Sequence, residues 1–254
     1  MKSIYSDIIK AKSENRKLLA ILLDPDKIVW KTLDDLVSKI INSPATHIFI
    51  GGSIVETNII DELILEIKQN CTLPIILFPG DPSQISDKAD GILFLSLISG
   101  RNSDYLIEHQ VQAVPILKKT NLEIISTGYI LIESGNETAV SRVSQTKPLD
   151  RKNINYVVQT AQAGEMLGNK LMYLEAGSGA KLSVPLDMIT SVTQNIEIPL
   201  IVGGGIQNQK GIQDAYNSGA DLVVIGTAFE NDITFFEDNI KSVLHPEHNR
   251  LANL

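Results

Sequence analysis

Eight short apolar runs, each of strand length and each followed by a longer segment, constrain the fold of this chain more than any other feature. They lie at residues 18–23, 47–50, 73–78, 91–95, 123–131, 171–175, 199–202 and 222–225. Runs such as LLAILL and LVVI are apolar throughout and lack an alternating polar face, which is typical of parallel strands covered on both sides. The pattern therefore predicts a parallel sheet.

Two of the intervening segments have apolar residues at positions i, i+3, i+4 and i+7, which places those residues on one face of a helix. They are Leu33, Leu36, Val37 and Ile40 in the first segment and Ile60, Leu63, Ile64 and Ile67 in the second. Thr32 with Asp35 resembles a capping box, and Gly219 stands where a glycine would end a helix over 212–218. Strands that alternate with covering helices predict an α/β fold.

Eight βα repeats favour a closed (β/α)8 barrel, a TIM barrel, over an open sheet. The 254 residues match the roughly 250 that such a barrel uses as one unit, so we expect residues 1–254 to form a single barrel domain. Residues 79–90 contain two prolines and are too few for a helix with two loops, so they predict that the third helix is replaced by a loop or a single turn. The polar stretch 134–153 predicts a long loop after the fifth strand, either a mobile lid or a solvated loop with a short helix.

Charge and hydropathy exclude several function classes. The net charge of −8 disfavours nonspecific attraction to nucleic acid or to an anionic membrane. No apolar run approaches the roughly 20 residues that span a bilayer, and the first residues lack the apolar core of a signal peptide. Cys71 is the single cysteine, which excludes an intramolecular disulfide. We expect a cytoplasmic protein with no nucleic-acid partner and no transmembrane segment.

The first two strand runs end in oxygen-bearing side chains, at what would be the active-site face of a barrel. The first continues into DPDK (24–27) and the second into GGS (51–53). Asp24 and Ser53 could hold Mg²⁺, which prefers oxygen ligands and shares them with substrate phosphates. The structural alternatives are a turn at Asp24 and a helix N-cap at Ser53. Lys27 could touch a diphosphate, but we expect it at the surface.

Glycines follow the last three strand runs, in the segments EAGSG (175–179), GGGI (203–206) and IGT (225–227). Glycine lets backbone N–H groups approach an anion closely, and short helices that begin there add favourable partial charge. Three such strand ends side by side predict a phosphate site. A carboxylate beside a phosphate would repel it unless it takes a proton or binds a hydroxyl, so we interpret Glu175 as a general base. The alternative is a structural salt bridge.

Other chemistries lack the residues they need. The four histidines lie outside the glycine-rich strand ends, so the sequence offers neither a histidine zinc site nor a Ser-His-Asp triad. The GGG segment lacks the spacing of a dinucleotide-binding fingerprint. The residues by themselves therefore indicate a phosphate-binding, cation-dependent barrel.

The chain contains, in this order, the motifs LLDPDK, GGS, FPGDPSQIS, GYILIES, YLEAGSG, VGGGI and VIGTAFE. From about residue 18 to residue 230 it resembles the geranylgeranylglyceryl phosphate synthase family of prenyltransferases, including its bacterial heptaprenylglyceryl phosphate relatives. The resemblance implies a modified TIM barrel whose third helix is a loop. It implies Mg²⁺-dependent transfer of a prenyl group from an isoprenyl diphosphate, with geranylgeranyl diphosphate as the expected donor, to the 3-hydroxyl of sn-glycerol 1-phosphate. It also implies a homo-oligomer, a dimer or a hexamer, with transient membrane contact for the lipid product.

By the same resemblance, Asp24 and Ser53 match Mg²⁺ ligands, Glu175 matches the base, and Tyr129 matches a tyrosine near the reacting groups. The residues that match the glycerol phosphate site are Tyr173, Leu174, Glu175, Ala176, Gly177, Ser178, Gly179, Gly204, Gly205, Gly226 and Thr227. The chain departs from the family at Leu22, where some relatives have lysine, and at Thr227, where many have asparagine.

Two alternatives from other classes fit a phosphate-binding barrel, because a fold does not determine a reaction. One is a phosphosugar isomerase or lyase, which would need neither Mg²⁺ nor a lipid groove and whose turnover would survive a chelator. The other is a non-catalytic phospholigand-binding barrel, which would bind glycerol phosphate without transferring a prenyl group. The length of the prenyl chain depends on where its groove closes.

Overall fold

The computed structural model describes residues 3–53, 55, 59–232 and 235–236. Eight parallel strands form a closed barrel in which each pairs with its neighbour in sequence and the first pairs with the eighth. The strands are β1 Leu18–Leu23, β2 His47–Ile50, β3 Ile75–Leu77, β4 Gly91–Ser96, β5 Glu123–Leu131, β6 Leu171–Glu175, β7 Leu200–Gly203 and β8 Leu222–Ile225. The predicted TIM-barrel fold is confirmed.

Helices connect the strands and cover their outer face. They are α1 Ile4–Ser13, α2 Leu33–Ile41, α3 Ile60–Asn70, α4 His109–Leu117, α5 Ala139–Ser144, α6 Ile154–Met166, α7 Leu186–Thr193, α8 Gln209–Asn217 and α9 Thr227–Asn231. A π-helical turn, Asp104–Glu108, leads into α4. Among the described residues, no helix combines the length and the apolar character needed to cross a bilayer.

The predicted element boundaries agree with the structure to within a few residues, with two exceptions at helix starts. Thr32 precedes α2, but its hydroxyl donates to the carbonyl of Val29 (3.2 Å) and makes no capping bond, so the predicted capping box is wrong. Ser53 is not an N-cap, because α3 begins only at Ile60. Gly219 does follow the end of α8, with a φ of 112° that favours glycine, as predicted.

Two apolar clusters hold the barrel together. The larger lies between the strands and the covering helices and contains the predicted stripe residues of α2 and α3. The smaller fills the barrel interior, where Phe49, Leu93 and Tyr173 from different strands meet. Ile4 and Ile8 of α1 belong to this interior cluster, so α1 closes the end of the barrel opposite the carboxyl ends of the strands. The carboxyl ends of the strands, which α1 leaves open, form the end where such a barrel places its function.

The connection between β3 and β4 contains a single 3₁₀ turn, Pro82–Gln84, in place of a helix, as predicted. Its N-cap is Asp81, whose carboxylate accepts a hydrogen bond from the backbone of Ser83 (2.7 Å). The long segment after β5 contains the short helix α5, whose capping box joins Thr138 and Ser141. A short helix is part of one of the two predicted alternatives, but Thr138 and Ser144 of this segment are buried, so the segment is not solvated throughout.

Glu123, the first residue of β5, binds the start of α1 through hydrogen bonds. Replacing Glu123 with alanine is expected to destabilise the fold. Its carboxylate accepts hydrogen bonds from the Ser3 hydroxyl (2.6 Å) and from the backbone of Ile4 and Tyr5. Losing these bonds at a helix start should lower the free energy of unfolding by about 1–2 kcal/mol in urea denaturation at pH 7. Glu62→Ala, on the exposed face of α3, is the control, and an equal loss in both variants would contradict the role of Glu123.

The contribution of Glu123 to the free energy of unfolding should depend on pH. Burial raises the pKa of Glu123, but the hydrogen bonds from Ser3, Tyr5 and Ile4 and the charge of Lys170 outweigh burial and bring the pKa below its usual 4.5. A depressed carboxyl pKa contributes stability above the unfolded-state pKa and loses it as the pH falls. The difference in stability between the wild type and Glu123→Ala should therefore shrink below about pH 4.

Candidate active site

The carboxyl ends of the strands surround a cavity, which we call the polar cavity. Twelve of the predicted site residues line it together. They are Asp24, Ser53, Tyr129, Tyr173, Glu175, Gly177, Ser178, Gly179, Gly204, Gly205, Gly226 and Thr227. Residues from six distant segments of the chain thus meet at one face of the barrel.

Leu174 and Ala176 are the two predicted site residues that the structure does not bring to the polar cavity. Both side chains are fully buried in the cluster between strands and helices. Successive residues of a strand point to opposite faces, so Tyr173 and Glu175 point inward while Leu174 points outward. The backbone N–H of Ala176 donates to the carbonyl of Gly203 (3.0 Å), which joins the ends of β6 and β7.

Glu175 is a buried carboxyl group at the end of β6. Burial raises its pKa from 4.5 to about 7, against the opposite influence of the nearby Tyr173 hydroxyl and of the Gly177 N–H, which donates to Oε1 (2.6 Å). Among the described residues no cation pairs with Glu175, so the structural salt bridge is not found. A carboxyl group with a pKa near 7 exchanges a proton readily at neutral pH, which suits a general base.

The glycines after β7 make room for this carboxylate. A Cβ on Gly204 would lie 2.2 Å from Glu175 Oε1, and a Cβ on Gly203 would lie 2.9 Å from Oε2. Gly204 also has a φ of 79°, in the left-handed region that side chains rarely adopt. The sequence pattern predicted these glycines as phosphate contacts. In the structure the nearest atoms to such a Cβ are Glu175 Oε1 and the Gly177 nitrogen for Gly204, and the Tyr173 hydroxyl (2.5 Å) for Gly203.

Three aromatic rings form the floor beside Glu175. The Tyr129 and Tyr173 rings meet edge to face at 5.3 Å between centroids, and Phe78 stacks on Tyr173 at 5.5 Å. Burial raises the pKa of both tyrosine hydroxyls well above 10, and the charge of Glu175 raises them further. Both phenols are therefore neutral at physiological pH.

The opposite wall of the polar cavity carries hydroxyl groups and cations. The hydroxyls of Ser178 and Thr227 lie 3.4 Å apart across the ends of β6 and β8. Lys27 and Arg142 also line the cavity. Lys27 is half exposed, as expected, but its ammonium pairs with Asp24 at 3.3 Å. The sequence analysis did not single out Arg142, since an arginine within a polar loop carries no local signal of its position.

The donor set of Asp24 and Ser53 fits a cation that completes its shell with substrate oxygens. Asp24 also makes the predicted turn, because its Oδ1 accepts from the backbone N–H of Asp26 (3.2 Å). Among the described residues no group of three or more His, Cys, Asp and Glu side chains is placed to hold a metal. A carboxylate with a hydroxyl is a poor site by itself but is typical of Mg²⁺ bound jointly with phosphates.

A second cavity lies beside the first, and we call it the apolar cavity. Its wall is built by the segments after β3, along β4 and on α4 and α5, and includes Ile85, Leu93, Leu97, Ala113 and Val143. The two cavities share Gly52, Ser53, Phe78, Tyr129 and Val140. Polar and apolar cavities therefore meet at the ends of β2 and β3.

The sequence and the structure of this chain are similar to the same group of known proteins. Residues 7–246 match the PcrB family. The chain is 70% identical over 235 residues to the geranylgeranylglyceryl phosphate synthase of Flavobacterium johnsoniae, covering 92% of this chain and 97% of that protein. It is 52% identical over 231 residues to that of Zunongwangia profunda, covering 91% and 98%. A crystal structure of (S)-3-O-geranylgeranylglyceryl phosphate synthase from Thermoplasma acidophilum in complex with sn-glycerol-1-phosphate has a TM-score of 0.87 at 31% identity and covers 97% of both chains.

Proposed function

The chain belongs to the PcrB family and is a prenyltransferase of the geranylgeranylglyceryl phosphate synthase type, and from this premise we propose its reaction. It transfers a prenyl group from an isoprenyl diphosphate, with geranylgeranyl diphosphate as the expected donor, to the 3-hydroxyl of sn-glycerol 1-phosphate. An ether bond forms, the bond between the allylic carbon and the diphosphate breaks, and the hydroxyl proton is released.

One observation carries this proposal: a polar cavity with a buried carboxylate shares its boundary with an apolar cavity. The reaction joins a phosphate-bearing polyol to a hydrocarbon chain, so it needs one compartment for each. Burial of the chain at about 0.8 kcal/mol per CH₂ would supply much of the donor's affinity. A phosphosugar isomerase would have no use for the apolar cavity.

The glycine-rich strand ends bind the acceptor phosphate in this proposal. Gly205 and Gly226 leave their backbone partly exposed at the polar cavity, and backbone N–H groups at short helix starts favour anions. Ser178 and Thr227 add hydroxyl donors from the other side. A threonine provides one hydroxyl donor where many relatives have an asparagine amide.

Glu175 accepts the proton of the acceptor hydroxyl as the ether bond forms. Its carboxyl group stands at the floor of the polar cavity, held by the Gly177 N–H. Tyr129 lines both cavities and therefore orients the reacting ends of the two substrates. Holding two substrates in one geometry is itself a large part of the rate enhancement.

Asp24 and Ser53 would hold Mg²⁺ together with the donor diphosphate. When bound there, Mg²⁺ would neutralise charge on the diphosphate leaving group and so favour departure of that group. Lys27 holds the Asp24 carboxylate in place through their ion pair. Phe78 lines both cavities, so its ring excludes water from the boundary between them.

The proposal is tested by incubating the purified protein with labelled sn-glycerol 1-phosphate and a series of C15 to C35 prenyl diphosphates, with Mg²⁺ or with EDTA. We expect an organic-extractable product that forms only with Mg²⁺ and whose yield identifies the preferred chain. Turnover of glycerol phosphate that survives EDTA would favour an isomerase or lyase. Tight acceptor binding with no product from any donor would contradict the transferase assignment and leave a binding protein.

We further propose that the enzyme is a homo-oligomer, a dimer or a hexamer. Sedimentation velocity over a tenfold range of concentration would measure its mass. A monomer at all concentrations would contradict this part of the proposal.

A further inference from the structure

The motif FPGDPSQIS forms the connection after β3, and the proposed reaction leaves most of it without a role. Gln84, within this motif, is a buried polar side chain with 2% of its surface exposed. Its Nε2 donates to the carbonyl oxygen of Gly52 (2.8 Å), and its Oε1 accepts from the N–H of the same residue (3.2 Å). One side-chain amide thus pairs with both polar groups of one residue, as a neighbouring strand would.

Backbone contacts hold the same two segments together. A Cβ on Gly51 would lie 2.0 Å from the carbonyl oxygen of Phe78, and a Cβ on Gly80 would lie 2.5 Å from Gly52 O and 2.6 Å from Ser53 O. The segment after β3 is therefore packed backbone to backbone against the segment after β2. These contacts and the two bonds of Gln84 are independent observations of one junction.

The 3₁₀ turn fixes the backbone of Gln84 itself. The Gln84 N–H donates to the carbonyl of Asp81 (3.2 Å), and Asp81 caps the turn through Ser83. A side chain that extends from a fixed turn loses little further freedom when it binds, so its two bonds hold Gly52 firmly. Replacing the third helix with this short turn is what brings Gln84 within reach of the end of β2.

Gly52 and Ser53 line both cavities, so this junction lies where the polar and apolar parts of the donor must meet. We propose that Gln84 is a positioning residue that holds Gly52 and Ser53 at this boundary and thereby places the diphosphate of the prenyl donor. This inference rests on the proposed function and extends it to a residue that does not itself contact the reacting atoms.

A positioning role makes a different prediction from a structural role. Loss of a mere structural brace would lower stability and leave the affinities for both substrates unchanged. Loss of a positioning residue should weaken binding of the donor and leave binding of glycerol phosphate unchanged, because the acceptor contacts lie on β6, β7 and β8. The decisive measurement is therefore the change in donor affinity relative to the change in glycerol phosphate affinity.

The test compares Gln84→Leu with Gln162→Leu, a control that removes a glutamine bond to the backbone of Asn195 outside both cavities. Each variant is assayed for the KM of donor and acceptor, and calorimetry measures the Kd of an S-thiolo prenyl diphosphate, which resists ionisation, with Mg²⁺ present. We expect Gln84→Leu to raise the donor KM and the analogue Kd by about 10- to 100-fold, as is usual for residues that support a ligand-binding group. The acceptor Kd and the control should match the wild type.

Two further variants keep the test decisive if Gln84→Leu does not fold. In Gly80→Ala the new Cβ would collide with the carbonyl oxygens of Gly52 and Ser53 and displace both residues, so this variant should raise the donor KM in the same way. Gln84→Glu has a carboxylate that cannot donate to the Gly52 carbonyl, but the protonated acid can. Its analogue affinity relative to the wild type should therefore recover as the pH falls from 8 to 6.

The outcomes separate the two proposals. If the wild type forms product but donor KM and analogue Kd are unchanged in Gln84→Leu or, should that variant not fold, in Gly80→Ala, the positioning role is overturned and the reaction stands. If the wild type binds the analogue without forming product, the reaction is overturned, and a weakened analogue Kd in the variants still supports the positioning role. Equal weakening of donor and acceptor binding would overturn a role of Gln84 that is specific to placing the donor.

Discussion

Replacing Glu175 with glutamine is expected to lower kcat by about 10²- to 10⁴-fold, the usual contribution of a general base. Glutamine keeps the shape of the side chain and an oxygen for the Gly177 N–H, but it cannot accept a proton from the substrate hydroxyl. The Kd of sn-glycerol 1-phosphate, measured by calorimetry, should stay close to the wild-type value. Single-turnover kinetics with saturating donor would isolate the chemical step.

The pH dependence of the two proteins provides a second measurement. The base must be ionised, and burial raises the pKa of Glu175 to about 7, so wild-type kcat/KM should rise with pH and level off above this value. Residual activity of Glu175→Gln should lack that rise. Glu66→Gln, on the exposed surface of α3, is the matched control. A pH profile that keeps its rise in Glu175→Gln would remove Glu175 from the role of base.

Stability should change in the opposite direction from activity. Because the pKa of Glu175 is raised above the unfolded value of about 4.5, the folded state binds the proton more tightly than the unfolded state. This group's contribution to stability is thus present below about pH 4.5 and is lost as the pH rises through about 7. Glu175→Gln has no carboxylate to bury, so above pH 7 it should be at least as stable as the wild type. Lost activity therefore cannot be attributed to unfolding.

Gly204→Ala is expected to lower activity by about 10²-fold and to destabilise the fold. Its Cβ would lie 2.2 Å from Glu175 Oε1 and 2.5 Å from the backbone nitrogen of Gly177. The Gly177 nitrogen belongs to the backbone, and the Glu175 carboxylate is buried and held by the Gly177 N–H (2.6 Å), so the ends of β6 and β7 must move apart. A displacement of this kind at a reacting centre costs on the order of 10²-fold in rate. Steady-state kinetics and urea denaturation would measure the two effects.

Gly168→Ala is the control for Gly204→Ala, because it strains the backbone without bringing the new Cβ into collision with a neighbouring atom. Gly168 also has a positive φ, 92°, but nothing lies within 4 Å of its would-be Cβ. The control should lose about 1–2 kcal/mol of stability from strain alone and keep its activity. Gly204→Ala should lose more stability than the control. Equal losses of stability in the two variants, with activity retained in both, would contradict a requirement for space beside Glu175.

The sequence pattern predicted much of this site, because its signals are local. Continuous apolar runs identified the strands, and the residues that follow each run were predicted to lie at one face of the barrel. Asp24, Ser53 and Glu175 indeed line one cavity. Leu174 and Ala176 were included by motif alone, and the alternation of side chains along a strand could have excluded them.

Other features of the site carried no local signal. Gln84 and Gly52 are 32 residues apart in sequence, and no pattern in either segment indicates that they pair. Arg142 is one of several charged residues in a polar loop, and only the position of α5 brings it to the polar cavity. The apolar cavity draws its wall from β4, α4, α5 and the turn after β3, none of which is unusual in composition.

The sequence by itself determined the number and order of the strands, the short third connection and the glycines at the strand ends. Each of these follows from the chemistry of neighbouring residues, such as apolar periodicity and the backbone freedom of glycine. Only the tertiary structure decided the raised pKa of Glu175, the space that Gly204 leaves for it, the pairing of Gln84 with Gly52 and the boundary between the two cavities. These depend on burial and on contacts between distant segments, and both arise only when the barrel closes.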